Sequence, residues 1–144
     1  MAQINPHILF KGTTEEAFNF YKSVFGGEFS ILMRMKDLPK DPENPISETV
    51  GNKILNISLP IGKNNILIGS DVAEHFMDLE LVTGNRYTIS INAESKEEAY
   101  QLFNDLSAGG EIEIPLSESP WGTYFGMFAD KYGIQWMLDY TPNL

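Results

Sequence analysis

Apolar residues fall at positions i, i+3, i+4 and i+7 in two stretches of the chain, the stripe of an amphipathic helix. The first stripe is Ala17, Phe20, Tyr21 and Val24; the second is Ala99, Leu102, Phe103 and Leu106, at a constant offset of 82. Ahead of each stand a hydroxyl and, three residues on, a glutamate: Thr13 with Glu16, Ser95 with Glu98. That is the spacing of a capping box, in which the hydroxyl accepts from the N3 amide and the glutamate reaches back. Paired glycines follow each helix, Gly26-Gly27 and Gly109-Gly110, and tolerate the positive φ of a helix C-terminus.

An extended run precedes each helix. Residues 86–92 alternate, with Tyr87, Ile89 and Ile91 apolar and Thr88, Ser90 and Asn92 polar, the period of a half-buried strand. Residues 4–10 are its counterpart. Three further strands follow each helix, over 29–35, 53–59 and 66–69 in the first copy and 111–116, 124–129 and 134–140 in the second. Turn segments at 62–65 and 130–133 join paired strands. The chain is therefore an α+β protein in which a βαβββ unit occurs twice. Module 1 spans about 4–72, a linker 73–85 and module 2 about 86–141, within one domain of 144 residues. Duplication implies a pseudo-twofold molecule with a site between its halves. Residues 36–49 lie outside the repeat and carry Pro39, Pro42 and Pro45 among charges. They read either as a lid over a cavity or as a passive surface loop.

Composition narrows the function. Hydrophobic residues make up 42% of the chain and aromatic residues 12%, enough for a packed core. A formal net charge of −10 argues against a nucleic-acid partner and against an anionic membrane surface. There is no cysteine, so thiol catalysis, disulfides and cysteine-based zinc sites are excluded. No apolar run approaches the roughly 20 residues of a membrane helix, and the start of the chain lacks a signal-peptide pattern. A cytoplasmic protein is the expectation. No Gly-x-Ser-x-Gly, P-loop or Gly-x-Gly-x-x-Gly motif follows a strand. Glu111 and Glu113 alternate on one strand, as charges on a protected sheet edge do.

Several segments carry a family resemblance. They are Pro6 to Gly12 before Glu15-Glu16-Ala17, Phe20-Tyr21 with Val24-Phe25-Gly26, Ile66 to Asp71, and above all the run from Trp121 to Trp136. The chain resembles the PhnB-like branch of the vicinal oxygen chelate superfamily, which includes glyoxalase I, extradiol dioxygenases, and bleomycin and fosfomycin resistance proteins. The resemblance implies paired modules curling an open mixed sheet around a cavity, and a homodimer. The branch has been labelled a ubiquinone-pathway methyltransferase; no glycine-rich nucleotide turn in the sequence supports that activity.

Metal-using relatives place one His, Gln or Glu on each of four strands. Carried over through the flanking motifs, the four places fall on Pro6, Asn56, Thr88 and Met137. Proline has no donor atom, threonine and asparagine are weak neutral ligands, and a thioether suits soft ions. No metal and no cofactor are expected. His7 lies one residue from Pro6 and should face the other side of its strand; a histidine packed under the helices is the plainer reading. His75 reads as a linker histidine, able to pair with Asp71 if that segment is helical.

A cavity with few reactive groups is left, with Asn56, Thr88, Ser90, Gln135 and Met137 on its walls and Trp121, Tyr124 and Phe125 near its mouth. Trp121 and Phe125 also suit a core or a dimer contact. Aromatic walls with a few amides and hydroxyls suit a small apolar or planar ligand. The expected function is a metal-independent small-molecule binder with no assigned catalytic residue. The rivals are a metal-dependent lyase or dioxygenase and a structural homodimer with a vestigial cavity.

Overall fold

Gly69 fixes the side on which the first helix packs. A Cβ there would stand 2.4 Å from the Phe18 ring, so only a residue without a side chain lets helix and sheet approach this closely. In the computed structural model, which describes residues 2–73 and 79–142, the chain divides into two compact units, 1–82 and 83–144.

The first unit contains β1 (His7–Phe10), α1 (Thr14–Phe25), β2 (Ile31–Arg34), a 3-10 turn (Met35–Asp37), α2 (Glu48–Gly51), β3 (Ile54–Ile61) and β4 (Asn65–Asp71). Its mixed sheet has the order β1-β4-β3-β2, with β1 parallel to β4 and the other pairs antiparallel. The second unit contains β5 (Ile89–Asn92), α3 (Lys96–Ser107), β6 (Glu111–Glu118), β7 (Tyr124–Ala129) and β8 (Gln135–Tyr140). Its sheet repeats the plan as β5-β8-β7-β6. Neither sheet closes on itself.

The buried residues are Ala17, Phe18 and Tyr21 in α1 and Ala99, Phe103 and Leu106 in α3; the expected stripe is shifted in α1, where Phe18 is buried and Phe20 and Val24 are only half-buried, and in α3 Leu102 is half-buried. The facing strand residues are Phe10, Ile57, Leu59 and Leu67 in one unit, Phe128, Trp136 and Leu138 in the other, all buried. Edge-to-face rings knit these layers, Phe18 with Tyr21 and Phe103 with Phe128. In the second unit Gly126, on β7, meets its helix in the same way, with space for a Cβ denied by Phe103 at 2.6 Å and the Leu116 backbone at 2.9 Å.

Some boundaries differ from the sequence pattern. β1 starts at His7 because Pro6 has no N–H to give the ladder, although its carbonyl still accepts from Ile68 N at 3.0 Å. β5 starts at Ile89, leaving Tyr87 86% exposed. β6 runs on to Glu118 as an edge strand, with register shifts on both sides of Ile114 and Pro115 in its length. The two capping boxes also part company. Ser95 Oγ accepts from Glu98 N at 3.0 Å, and Glu98 reaches back to Glu94 N at 3.0 Å. Thr13 makes no side-chain cap. Instead the buried Asp71, at the end of β4, accepts from Gly12 N, Thr14 N and Thr14 Oγ1 and so caps α1 from another strand.

Candidate functional site

With Gly69 and Gly126 marking the helix sides, strand alternation assigns every residue of both sheets to a face. On the helix-free face of the first sheet lie His7 and Leu9 from β1, Ile68 and Ser70 from β4, Asn56 and Ser58 from β3, and Ile31 and Met33 from β2. On the helix-free face of the second lie Ser90 and Asn92 from β5, Gln135, Met137 and Asp139 from β8, and Phe125, Met127 and Ala129 from β7. Thr88 immediately precedes β5 on the same side.

Of the expected site residues, Thr88, Ser90, Phe125, Gln135 and Met137 thus share one face of one sheet. Asn56 occupies the corresponding face of the other unit. Tyr124 does not join Phe125. It is buried on the helix side, its ring packed against Tyr100 and Tyr140 with the Lys96 ammonium 5.6 Å from its centroid. Alternation forces that separation of neighbours. Trp121 lies on neither face. It sits in the turn after β6, closed by Ser119 and Thr123, and is 78% exposed. Trp136 is core: its indole N–H donates to Asp130 at 2.8 Å, and the same carboxylate accepts from Tyr132 N and Ile134 N. Asp130 is accordingly a turn-organising residue. His75 lies outside the described residues.

The sequence mapping errs at β1. The helices repeat with an offset of 82, yet the helix-facing strand residues are even-numbered in β1 (Ile8, Phe10) and odd-numbered in β5 (Ile89, Ile91). The loops into the two helices match in length, 11–13 and 93–95, so the difference lies in which face each strand turns towards its helix. An offset of 81 restores the parity and pairs His7 with Thr88. His7, and not Pro6, is the residue of β1 that faces the Asn56 side, and it is not packed under α1.

A bulge explains the local hydrogen bonding around His7. Met33 pairs with Asn56 but Arg34 pairs with Ile54, so Leu55 is an extra residue in β3. Two side chains of β4 take up the backbone groups there. Ser70 Oγ donates to the Leu55 carbonyl at 2.8 Å, and Asp71 Oδ2 accepts from Ile54 N at 2.9 Å. His7 Nε2 meets Ser70 Oγ at 2.8 Å. Ser58 Oγ donates to Asn56 Oδ1 at 3.2 Å. Ser58 and Ser70 are both buried. On the second sheet the Asn92 amide nitrogen donates to Asp139, which sets one carboxylate among neutral side chains.

Beyond the bulge, Arg34 crosses to the helix side and forms a fork with Glu15 of α1. The Arg34 hydrogen bonds hold the Glu15 carboxyl below its ordinary value, against a smaller opposing effect of burial. The segment between β2 and β3 encloses a hollow of about 790 Å³ lined by its own residues, among them Met35, Leu38, Pro42 and Ile46. Its lining includes none of the helix-free-face residues named above. In its turn, hydrogen bonds from the Asn44 amide and the Glu43 backbone lower the Asp41 carboxyl.

The family model for 3-demethylubiquinone-9 3-methyltransferase matches residues 2–138. The chain belongs to this family. Protein YjdN of Escherichia coli is 25% identical over 138 residues, covering 94% of this chain and 93% of that protein. Among solved structures, protein PA1353 from Pseudomonas aeruginosa is 32% identical with a TM-score of 0.82, covering 99% of this chain and 100% of the other. A PhnB protein from Bacillus cereus is 23% identical with a TM-score of 0.74, covering 97% and 100%. Glyoxalase-related and fosfomycin-resistance structures share the fold at lower identity. This PhnB-like family member thus has the fold of the vicinal oxygen chelate superfamily.

That superfamily's divalent ion does not suit the residues present. His7 commits Nε2 to Ser70, Asn56 is engaged with Ser58, and Thr88 and Met137 supply a hydroxyl and a thioether. Among the described residues no group of three or more His, Cys, Asp or Glu could hold a metal ion. Among them, too, no helix is long and apolar enough to cross a membrane.

Proposed function

We propose that this PhnB-like protein binds a small, largely apolar or planar molecule without a metal, in the cytoplasm and as a homodimer. The observation that carries the reading is the chemistry of the helix-free faces. Leu9, Ile68, Met33, Phe125, Met127 and Met137 provide apolar contact, and Asn56, Thr88, Ser90 and Gln135 provide neutral hydrogen-bonding groups. Such a mixture binds by area and by a few oriented polar contacts. It offers weak support to a Lewis-acid centre, which wants two or more anionic or imidazole ligands. The activity in the family's name is not carried over to this chain.

Methionine methyl groups report the test. In chelator-treated protein labelled at methionine methyls, titration with phenol, indole and naphthalene should move Met127 and Met137 together. Silence of both methyls, or a response that needs added divalent metal, would overturn the proposal. Light scattering checks the dimer: a mass of one chain at micromolar concentration removes that part.

A further inference from the structure

Ser70 Oγ has two partners and one proton. The Leu55 carbonyl, 2.8 Å away, can only accept, so the hydroxyl proton points there. The contact with His7 Nε2, also 2.8 Å, then requires Nε2 to be the donor. A neutral imidazole carries one N–H, so Nδ1 keeps its lone pair. Among the described residues none is hydrogen-bonded to Nδ1. The anchor is firm, because Ser70 is 3% exposed and its carbonyl partner belongs to the β3 bulge. A fixed tautomer with a free acceptor on a partly apolar face is a recognition device.

We infer that His7 Nδ1 is the hydrogen-bond acceptor by which the helix-free face of the first sheet recognises an O–H or N–H donor on a small neutral molecule. This rests on the binding function proposed above and specifies its ligand as a donor on an apolar or planar body. Leu9, Ile68 and Met33 on the same face supply contact for that body. A cation is the rival taker of the lone pair, but the residues beside His7 on this face bring no anionic group to accompany it.

The probes are phenol and anisole, which share a ring and differ in the O–H. Long-range proton–nitrogen spectra of histidine-labelled protein at pH 8 should show His7 protonated at Nε2. Phenol should shift the Nδ1 resonance and anisole should not. At the Met33 methyl, phenol should bind about 2- to 10-fold tighter than anisole, the worth of one hydrogen bond. His7→Leu keeps an apolar body at this position and removes the acceptor together with the donor to Ser70, whose hydroxyl keeps the Leu55 carbonyl. It should bring phenol and anisole to parity. An Nδ1–H tautomer, equal shifts from the two probes, or a His7→Leu variant that still prefers phenol would each overturn the inference while leaving binding intact. Silence of Met33 with both probes would overturn the binding reading as well. A micromolar Zn(II) response at Nδ1 would assign the lone pair to metal and overturn it too.

Discussion

Asp71→Ala is the substitution with the largest expected effect on the first unit. The Asp71 carboxylate accepts from three backbone amides and one hydroxyl: Gly12 N at 3.0 Å, Thr14 N at 3.1 Å, Thr14 Oγ1 at 2.7 Å and Ile54 N at 2.9 Å. Gly12 is exposed and can turn to water, but Thr14 and Ile54 are 0% and 1% exposed. Truncation therefore strands two buried amides and a hydroxyl, at roughly 1–3 kcal/mol for each unsatisfied group. Relief of the buried carboxylate's own desolvation offsets part of this, leaving about 3–5 kcal/mol. For a chain of this size each kcal/mol moves Tm by about 2–4 °C, so the melt should fall by about 10 °C or more. Asp71→Asn keeps one carbonyl oxygen but sets an amide N–H against one of the same donors, and should cost about half as much. Urea denaturation followed by circular dichroism, with calorimetry for Tm, reads both. A loss of about 1 kcal/mol or less for Asp71→Ala would refute the reasoning, because it would mean that Asp71 is not the cap of α1.

Other outcomes follow from the same geometry. Ser95→Ala should cost about 1 kcal/mol as a lost N-cap, whereas Thr13→Ala should change stability by no more than a few tenths, since Thr13 makes no side-chain cap; matched urea melts compare them. Gly126→Ala forces a Cβ into the Phe103 ring and the Leu116 backbone and should cost roughly 1–3 kcal/mol or more by overpacking, read as a lower urea midpoint with α3 still helical. Glu15 is depressed below 4.5 by Arg34, so the native state binds fewer protons there than the unfolded chain and stability rises with pH across that window. The pair's contribution is complete above pH 4.5 and is lost as pH falls through the lowered value. With Glu15 44% exposed it amounts to about 0.2–1 kcal/mol. Glu15→Gln should therefore be less stable than the parent at pH 7, with the difference shrinking as pH falls through the lowered value.

Periodicity made the duplicated βαβββ plan readable because each helix stripe and each alternating strand is a local pattern. The helix-free face of the second sheet was readable for the same reason, since Thr88, Ser90, Gln135, Met137 and Phe125 keep strict period two. The first sheet was harder. The strands before the two helices turn residues of opposite parity towards them although the intervening loops match in length, and this hid His7 behind Pro6. The bulge at Leu55 left no signature in a run of apolar residues. Asp71 as the cap of a helix 57 positions away from its hydroxyl contact is a tertiary feature with no local signal, and it displaced the cap that Thr13 and Glu16 suggest. Tyr124 misled because adjacency in sequence places neighbours on opposite faces of a strand.

Metal titration bears most directly on the account. Chelator-treated protein, titrated calorimetrically with Zn(II), Ni(II), Mn(II) and Fe(II), should show no site of micromolar affinity or tighter. One such site per chain, lost in His7→Ala, would contradict it.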